Sequence, residues 1–295
     1  MDKLGTYSSR YCYSVWLRHI VTAHKNGLPT KPRTIAELGP GNSLEIGLAG
    51  LISGAQTYYA FDIAKFATND RNLKVFDEIV TLFRNRADIP GEDEFARVKP
   101  YLDSYRFPKN IYDDNYLEKM LREDRLERIR NSLLNMNDDD SCITYEVPWD
   151  SESIIKKESV DMIYSQAVLE HIDNLSDAYK AMCLWLKPEG FISHQIDFKC
   201  HGTAQKWNGH WSYSDSEWND RRSRETFLLN REPHSHHLKY LEQTGFKIIC
   251  DDIIKYEQGI LRNQLAGKFK NISDEDFFTG NAFIQASRNC CGILS

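Results

Sequence analysis

The sequence has no CxxC pair and no apolar run approaching the ~18–20 residues that cross a bilayer as a helix. It has no basic excess either: 37 Lys and Arg stand against 43 Asp and Glu, a net charge of −6. The first absence removes the usual zinc and redox cysteine spacings. The second removes a helical membrane span. The third removes the electrostatic footprint of a general nucleic-acid binder, although a local patch can still hold a phosphate. The first sixteen residues lack the apolar stretch of a secretory signal, and the seven cysteines (12, 142, 183, 200, 250, 290 and 291) are odd in number. The expectation is a cytoplasmic protein with reduced, mostly buried thiols. The adjacent Cys290 and Cys291 leave a metal or redox role open, with an inert tail as the plainer reading.

What is present is an ordinary globular composition. Of 295 residues, 41% are hydrophobic and 27% charged, so the chain can bury a core. Residues 8–27 carry Tyr11, Val15, Trp16, Ile20 and Val21 at helical spacing and stop at Asn26-Gly27. Residues 34–38 read as a strand ending in Gly39-Pro40-Gly41, 44–51 as a helix, and 56–61 as a second strand ending in Asp62. That order, strand, glycine turn, helix, strand, acid, is one βαβ unit. Residues 65–140 are charged and helical in pattern, too long for a simple crossover, and read as a helical insertion or cap. Strands follow at 142–146, 160–164 and 191–198, with a helix over 174–186 stopped by Lys187-Pro188-Glu189-Gly190. Residues 199–237 are an aromatic- and histidine-rich loop region, 234–243 a helix, and 246–254 and 281–287 two last strands. Seven strands alternating mostly with helices predict an α/β fold, a doubly wound, mostly parallel seven-stranded sheet.

The glycine turn lets backbone approach a ligand, and open N–H groups at a helix start favour a polar or anionic one. Asp62, 21 residues past Gly41, can accept hydrogen bonds from both ribose hydroxyls. The third glycine of a dinucleotide fingerprint is missing, which opposes an NAD-type dehydrogenase, and Glu37 before the turn suits a cationic ligand better than a phosphate.

These residues resemble a family. Ala36-Glu37-Leu38-Gly39-Pro40-Gly41 and Ala60-Phe61-Asp62 are similar to the first two motifs of class I S-adenosylmethionine-dependent methyltransferases. Val147-Pro148-Trp149-Asp150, the run from Val160 through Ser165, Gln166 and Glu170 to His171, and Leu186-Lys187-Pro188-Glu189-Gly190-Phe191 resemble later motifs, in register over about 33–200. The resemblance implies a Rossmann-like single domain over 1–295 with S-adenosylmethionine as cofactor. It places Glu37 near the methionine ammonium, Gly39, Pro40 and Gly41 on the floor, Asp62 with Ile63 at the ribose, Trp149 and Asp150 at the adenine, and Ser165 and Gln166 on the sulfonium side. A narrower likeness, carried also by His194-Gln195-Ile196-Asp197 and Trp207-Asn208-Gly209-His210-Trp211, is to bacterial methyltransferases associated with surface-polysaccharide biosynthesis.

Methyl transfer to a hydroxyl needs a base, and His201 and His210, with Asp197 near a strand tip, are the candidate catalytic residues. His194, Trp207, Trp211, Arg221 and Arg222 are the candidate acceptor-binding residues, since aromatic faces suit a sugar ring and guanidinium groups suit phosphate. Plain packing or a solvated helix face explains the same residues. Pro233-His234-Ser235-His236-His237 is dense in imidazole, but no carboxylate is spaced to complete a metal site, and none is expected. The acceptor is expected to be a small molecule or glycan precursor, phosphorylated or not, with no nucleic-acid partner and an open oligomeric state. A methyltransferase for another small molecule, or a non-catalytic cofactor-binding scaffold using the Trp-rich region for protein contact, remain as alternatives.

Overall fold

A computed structural model describes residues 8–41, 44–64, 69–149, 154–224 and 229–288. Seven strands, β1 Thr34–Leu38, β2 Thr57–Phe61, β3 Ile143–Glu146, β4 Val160–Gln166, β5 Leu186–Asp197, β6 Phe246–Lys255 and β7 Thr279–Arg288, form one sheet in the order β3-β2-β1-β4-β5-β7-β6. β1 pairs in parallel with β2 and β4, and β2 with β3, whereas β6 and β7 are antiparallel. This is the α/β, Rossmann-like arrangement of class I methyltransferase folds. Among the described residues no helix is long and apolar enough to cross a membrane.

The chain divides into two compact units, residues 1–166 with 184–193, and residues 167–183 with 194–295. In the first unit α1 (Ser9–Lys25) starts where the Ser8 hydroxyl accepts the Tyr11 N–H at 3.2 Å, a side-chain N-cap. It ends at Asn26 before the left-handed Gly27. The helix is buried on most sides, Trp16, Arg18 and His19 included. α2 (Glu45–Ser53) is buried at all nine positions, which the apolar run from Ile46 to Ile52 favours.

The stretch read as an inserted cap holds α3 (Asn69–Arg84), α4 (Asp114–Met120) and α5 (Glu123–Leu134). Its apolar side chains, among them Phe76, Ile79, Phe83, Leu126, Ile129 and Leu133, join the main hydrophobic core with Trp16, Leu48 and Ile143. Three of its helices therefore act as a packing layer rather than only as cover.

In the second unit α6 (Leu175–Trp185) follows β4, and its last two residues return the chain to the first unit. The sequence predicts a turn at 187–190 before strand five; the strand instead begins at Leu186, directly after α6. Lys187 is held by Asp161 of β4 at 2.7 Å, and Pro188 near the strand's start costs no central ladder bond. The region 199–237 contains α7 (Asp215–Arg222), capped by the reciprocal Ser214–Glu217 pair, and α8 (His234–Gln243) begins within it. α9 (Asp274–Phe278) leads into β7.

Candidate functional site

The first unit builds a cradle at the carboxyl ends of β1 and β2. Gly39 and Gly41 have left-handed φ of 63° and 70°, conformations that glycine adopts without strain. The Gly39 N–H donates to the Phe61 carbonyl at 2.8 Å, and the Gly41 N–H to Asp62 Oδ2 at 2.9 Å, so the turn folds onto the tip of β2. Asp62 Oδ1 accepts its neighbour's N–H, Ile63, at 2.8 Å. Burial pushes the Asp62 carboxyl up, while the N–H groups of Ile63, Gly41 and Ala64 pull it back. A Cβ built on Gly41 would meet no described atom within 4 Å, so that face of the turn is open.

An aromatic group flanks this tip. The Trp149 N–H donates to the Asp62 carbonyl at 3.2 Å, and the Trp149 ring lies 6.0 Å from Phe61 and from Trp185. Ile63, 54% exposed, projects from the same corner. A carboxylate with spare lone pairs, an open glycine face and apolar flanks fit an adenosyl group: Asp62 for ribose hydroxyls, Trp149 and Ile63 for the base. Asp150, expected beside Trp149, lies outside the described residues, as do Asn42 and Ser43 of the turn and Cys290 and Cys291.

Glu37 is only 2% exposed. Its Oε2 accepts the hydroxyls of Tyr58 at 2.5 Å and Tyr164 at 2.9 Å. Burial pushes its carboxyl up to about 7, against the two tyrosyl hydroxyls and the Gly47 N–H that favour the ion; nearby Asp62 adds to the rise. The carboxylate expected near a ligand's ammonium group is thus a buried one held by two tyrosyl hydroxyls. Gly47 permits this: a Cβ there would lie 2.0 Å from the Tyr58 ring. Gly47→Ala is expected to push that ring off Glu37 and to destabilise the protein by about 1–3 kcal/mol, read as a lower denaturation midpoint. Pro40 sits in the turn, half-buried. Ser165 on β4, fully buried, pairs in register with Leu38, and Gln166 ends the strand.

The second unit carries the candidate base. β5 ends at Asp197, followed by a turn closed by the Thr203 N–H on the Cys200 carbonyl at 2.9 Å. Its two central residues, His201 and Gly202, are left-handed, with φ of 45° and 84°. A histidine there is uncommon, and its imidazole lies against the strand end. His201 Nε2 lies 3.5 Å from Asp197 Oδ2, and Lys199 Nζ 3.1 Å from the same oxygen. Burial would raise the Asp197 pKa, but His201 and Lys199 outweigh it and hold the group below its ordinary value. The His171 ring is 5.3 Å from that of His201. Lys199 and His171 complete a polar group that the sequence reading credited only to Asp197 and His201.

Other expected residues fall elsewhere. His210 is 1% exposed, and burial with Arg231 nearby drives its pKa down to about 3. It is a neutral ring packed against Trp211 and Trp218, which corrects the expectation of a catalytic base there. Trp211, 1% exposed, packs with Leu265, Phe269 and Phe277 and donates to the Arg231 carbonyl at 3.2 Å. It has no face left for a sugar, a second correction. His194 is also enclosed. Trp207 is half-buried against Tyr256, ring centroids 5.5 Å apart, and its buried indole N–H has no hydrogen-bond partner among the described residues. Arg222 is taken by Asp173 at 2.5 and 2.6 Å, so it is paired rather than waiting for phosphate. Arg221, exposed, stacks on Tyr213 with 4.1 Å to the ring centroid. The three clustered histidines serve separate partners: His234 with Asp251 at 2.8 Å, His236 with Glu232 at 2.5 Å, and His237 with the Tyr179 hydroxyl at 3.0 Å. Among the described residues no group of three or more His, Cys, Asp or Glu is arranged to hold a metal.

Comparison with known proteins adds to this geometry. Residues 105–193 match the profile of a methyltransferase domain, less than a third of the chain and without the glycine turn. A search of curated proteins finds no match. Among solved structures, a S-adenosylmethionine-dependent methyltransferase from Mesorhizobium loti is 14% identical with a TM-score of 0.42, covering 92% of this chain and 98% of that one. The geranyl diphosphate C-methyltransferase of Streptomyces coelicolor is 10% identical with a TM-score of 0.46, covering 91% and 76%. The [4+2]-cyclase SpnF is 12% identical with a TM-score of 0.45, covering 93% and 80%. Likenesses this distant carry no argument about activity.

Proposed function

We propose that this chain is a methyltransferase that moves a methyl group to a hydroxyl oxygen of a sugar or glycan precursor. Its cofactor is S-adenosylmethionine, which when bound supplies a methyl carbon made electrophilic by sulfonium. The observation that carries the reading is the Asp62 carboxylate, folded onto Gly41 beside an open glycine face and the Trp149 ring. The matched methyltransferase-domain segment supports it independently of the glycine turn.

Within this reading, Asp62 holds the ribose and Trp149 with Ile63 covers the adenine. His201, with Nε2 facing Asp197, takes the hydroxyl proton at Nδ1, and the ionised Asp197 stabilises the imidazolium that forms. Lys199, bonded to the same carboxylate, keeps Asp197 ionised through the step. The half-buried Trp207 ring and the Tyr256 ring beside it offer the apolar face that suits a sugar ring. Arg221 on Tyr213 is the cation available to a phosphorylated acceptor. Bacterial surface-polysaccharide synthesis is the context that the sequence likeness favours.

The test is calorimetric titration of ligand-free protein with S-adenosylhomocysteine, with NAD as control. Saturable binding of the first alone is expected. Asp62→Ala is expected to weaken it about 100-fold, the loss of two charge-assisted hydrogen bonds at about 1.5 kcal/mol each. Equal affinity in wild type and variant would reject the ribose role, and no binding by a folded wild type would reject the cofactor.

A further inference from the structure

Three groups are not used by the reading above: His19, Ser193 and the carbonyl of Lys99. His19, on α1, is fully buried. Its Nδ1 lies 2.7 Å from Ser193 Oγ on β5, and its Nε2 lies 3.2 Å from Gln166 Oε1 at the end of β4. The other end of that amide, Gln166 Nε2, donates to the Lys99 carbonyl at 3.4 Å.

These contacts settle the polarity of the amide. A backbone carbonyl only accepts, so the amide nitrogen belongs on the Lys99 side and Oε1 faces His19. An acceptor facing His19 requires Nε2–H, so Nδ1 is bare and accepts from the Ser193 hydroxyl. The residue before His19 fixes the far end of the arrangement. Arg18, also fully buried, donates to the carbonyls of Val98 at 2.9 Å and Pro100 at 2.7 Å, on either side of Lys99. One turn of α1 thus holds both sides of the Gln166 amide.

Gln166 is half-buried. Ser165 pairs with Leu38, so the next position along β4 stands beside Gly39, the first residue of the glycine turn. The end of β4 is thus adjacent to the turn on which the proposed function seats its ligand. With Oε1 committed to His19 and one amide hydrogen directed at Lys99, the second N–H is what the side chain can offer.

We infer that His19 is a positioning residue, which orients the Gln166 amide so that it presents an N–H to a carboxylate oxygen of the ligand seated on the glycine turn. In the proposed function, on which this rests, that oxygen belongs to the amino-acid portion of the cofactor. Burial, which lowers the His19 pKa to about 4, keeps the ring in one neutral tautomer near pH 7.

The experiment has one arm without ligand and one with it. In the ¹⁵N spectrum of ligand-free protein at pH 7, His19 is expected to show a protonated Nε2 and a bare, hydrogen-bonded Nδ1. A protonated Nδ1 overturns the inference. For binding, His19→Leu removes the donor, and His19→Gln keeps an amide N–H near the Nε2 position. Gln166→Glu, on a partly exposed strand end, replaces the donor with an acceptor should the buried substitutions fail to fold. His19→Leu and Gln166→Glu are each expected to weaken S-adenosylhomocysteine about 10-fold, one lost hydrogen bond. Both should leave 5′-methylthioadenosine, which lacks the amino-acid portion, within about twofold on the same basis. His19→Gln is expected to restore most of the loss. Unchanged S-adenosylhomocysteine binding in folded variants, equal loss for both ligands, or no rescue by His19→Gln overturns the inference. A wild type that binds neither ligand overturns the cofactor reading, while the ¹⁵N result still decides the tautomer.

Discussion

His201→Ala is expected to lower turnover by about 10²–10⁴-fold, the usual contribution of a positioned base, and to leave affinity for S-adenosylhomocysteine nearly unchanged. His201 sits in a tight turn at a left-handed φ of 45°, and only there does its Nε2 come within 3.5 Å of Asp197 Oδ2. Asp197 is held ionised, so it favours the imidazolium that appears when a hydroxyl gives up its proton. His210, the other candidate, is sealed among tryptophans and held neutral to about pH 3, so it neither meets solvent nor accepts a proton near neutrality. The expected asymmetry is therefore sharp. His210→Phe should cost stability through packing, whereas His201→Ala should cost rate without stability. Single-turnover measurement at saturating cofactor separates the two, and an unchanged rate in His201→Ala removes it as the base.

The contrast between these histidines also marks how far residues can be read without coordinates. The βαβ unit, the glycine turn and the spaced acid were legible because each is local: a strand, a φ-positive turn and a tip residue lie within 30 positions. So were all seven strands, including the antiparallel pair at the end of the chain. The boundary at Leu186 was missed because Pro and Gly ordinarily punctuate, and here both lie in the first turns of a strand anchored by Lys187 on Asp161. Aromatic and imidazole residues between 201 and 218 read alike in sequence, but burial divides them. Trp211 and His210 went to a local core, while Trp207 and His201 stayed reachable. That division depends on Leu265, Phe269 and Phe277, some 55–65 positions away, which no local pattern reveals. His19 was hidden for the same reason: within α1 it is one polar residue on a helix read as amphipathic, and its partners lie near residues 166 and 193. One missed signal was available. Ser214 and Glu217 stand three apart, the signature of a capped helix start, within a stretch taken as loop.

Glu37→Gln is expected to be more stabilising at high pH than at low, by about 2 kcal/mol between pH 5.5 and 8.5, relative to wild type. The folded protein holds the Glu37 proton to about pH 7, whereas an unfolded chain releases it near 4.5. Between those values the folded state binds more protons than the unfolded one, so stability falls as pH rises. The full contribution is present below about pH 4.5 and is lost through pH 7. Buried histidines tilt the opposite way. His19, held to about 4, and His210 and His237, held to about 3, stay neutral in the fold while the unfolded chain takes up protons below about 6.5. Their contribution is present above 6.5 and is lost as pH falls. Comparing variant with wild type at both pH values cancels the histidines, so the difference reports Glu37 alone. Urea midpoints measure it, and a difference that does not change with pH would show that Glu37 is ionised throughout. The same carboxyl should couple to ligand. A cation brought to the glycine turn favours the ionised form, so cofactor binding at pH 6.5 is expected to release protons. Binding enthalpy would then vary with the ionisation heat of the buffer, and Glu37→Gln would abolish that dependence.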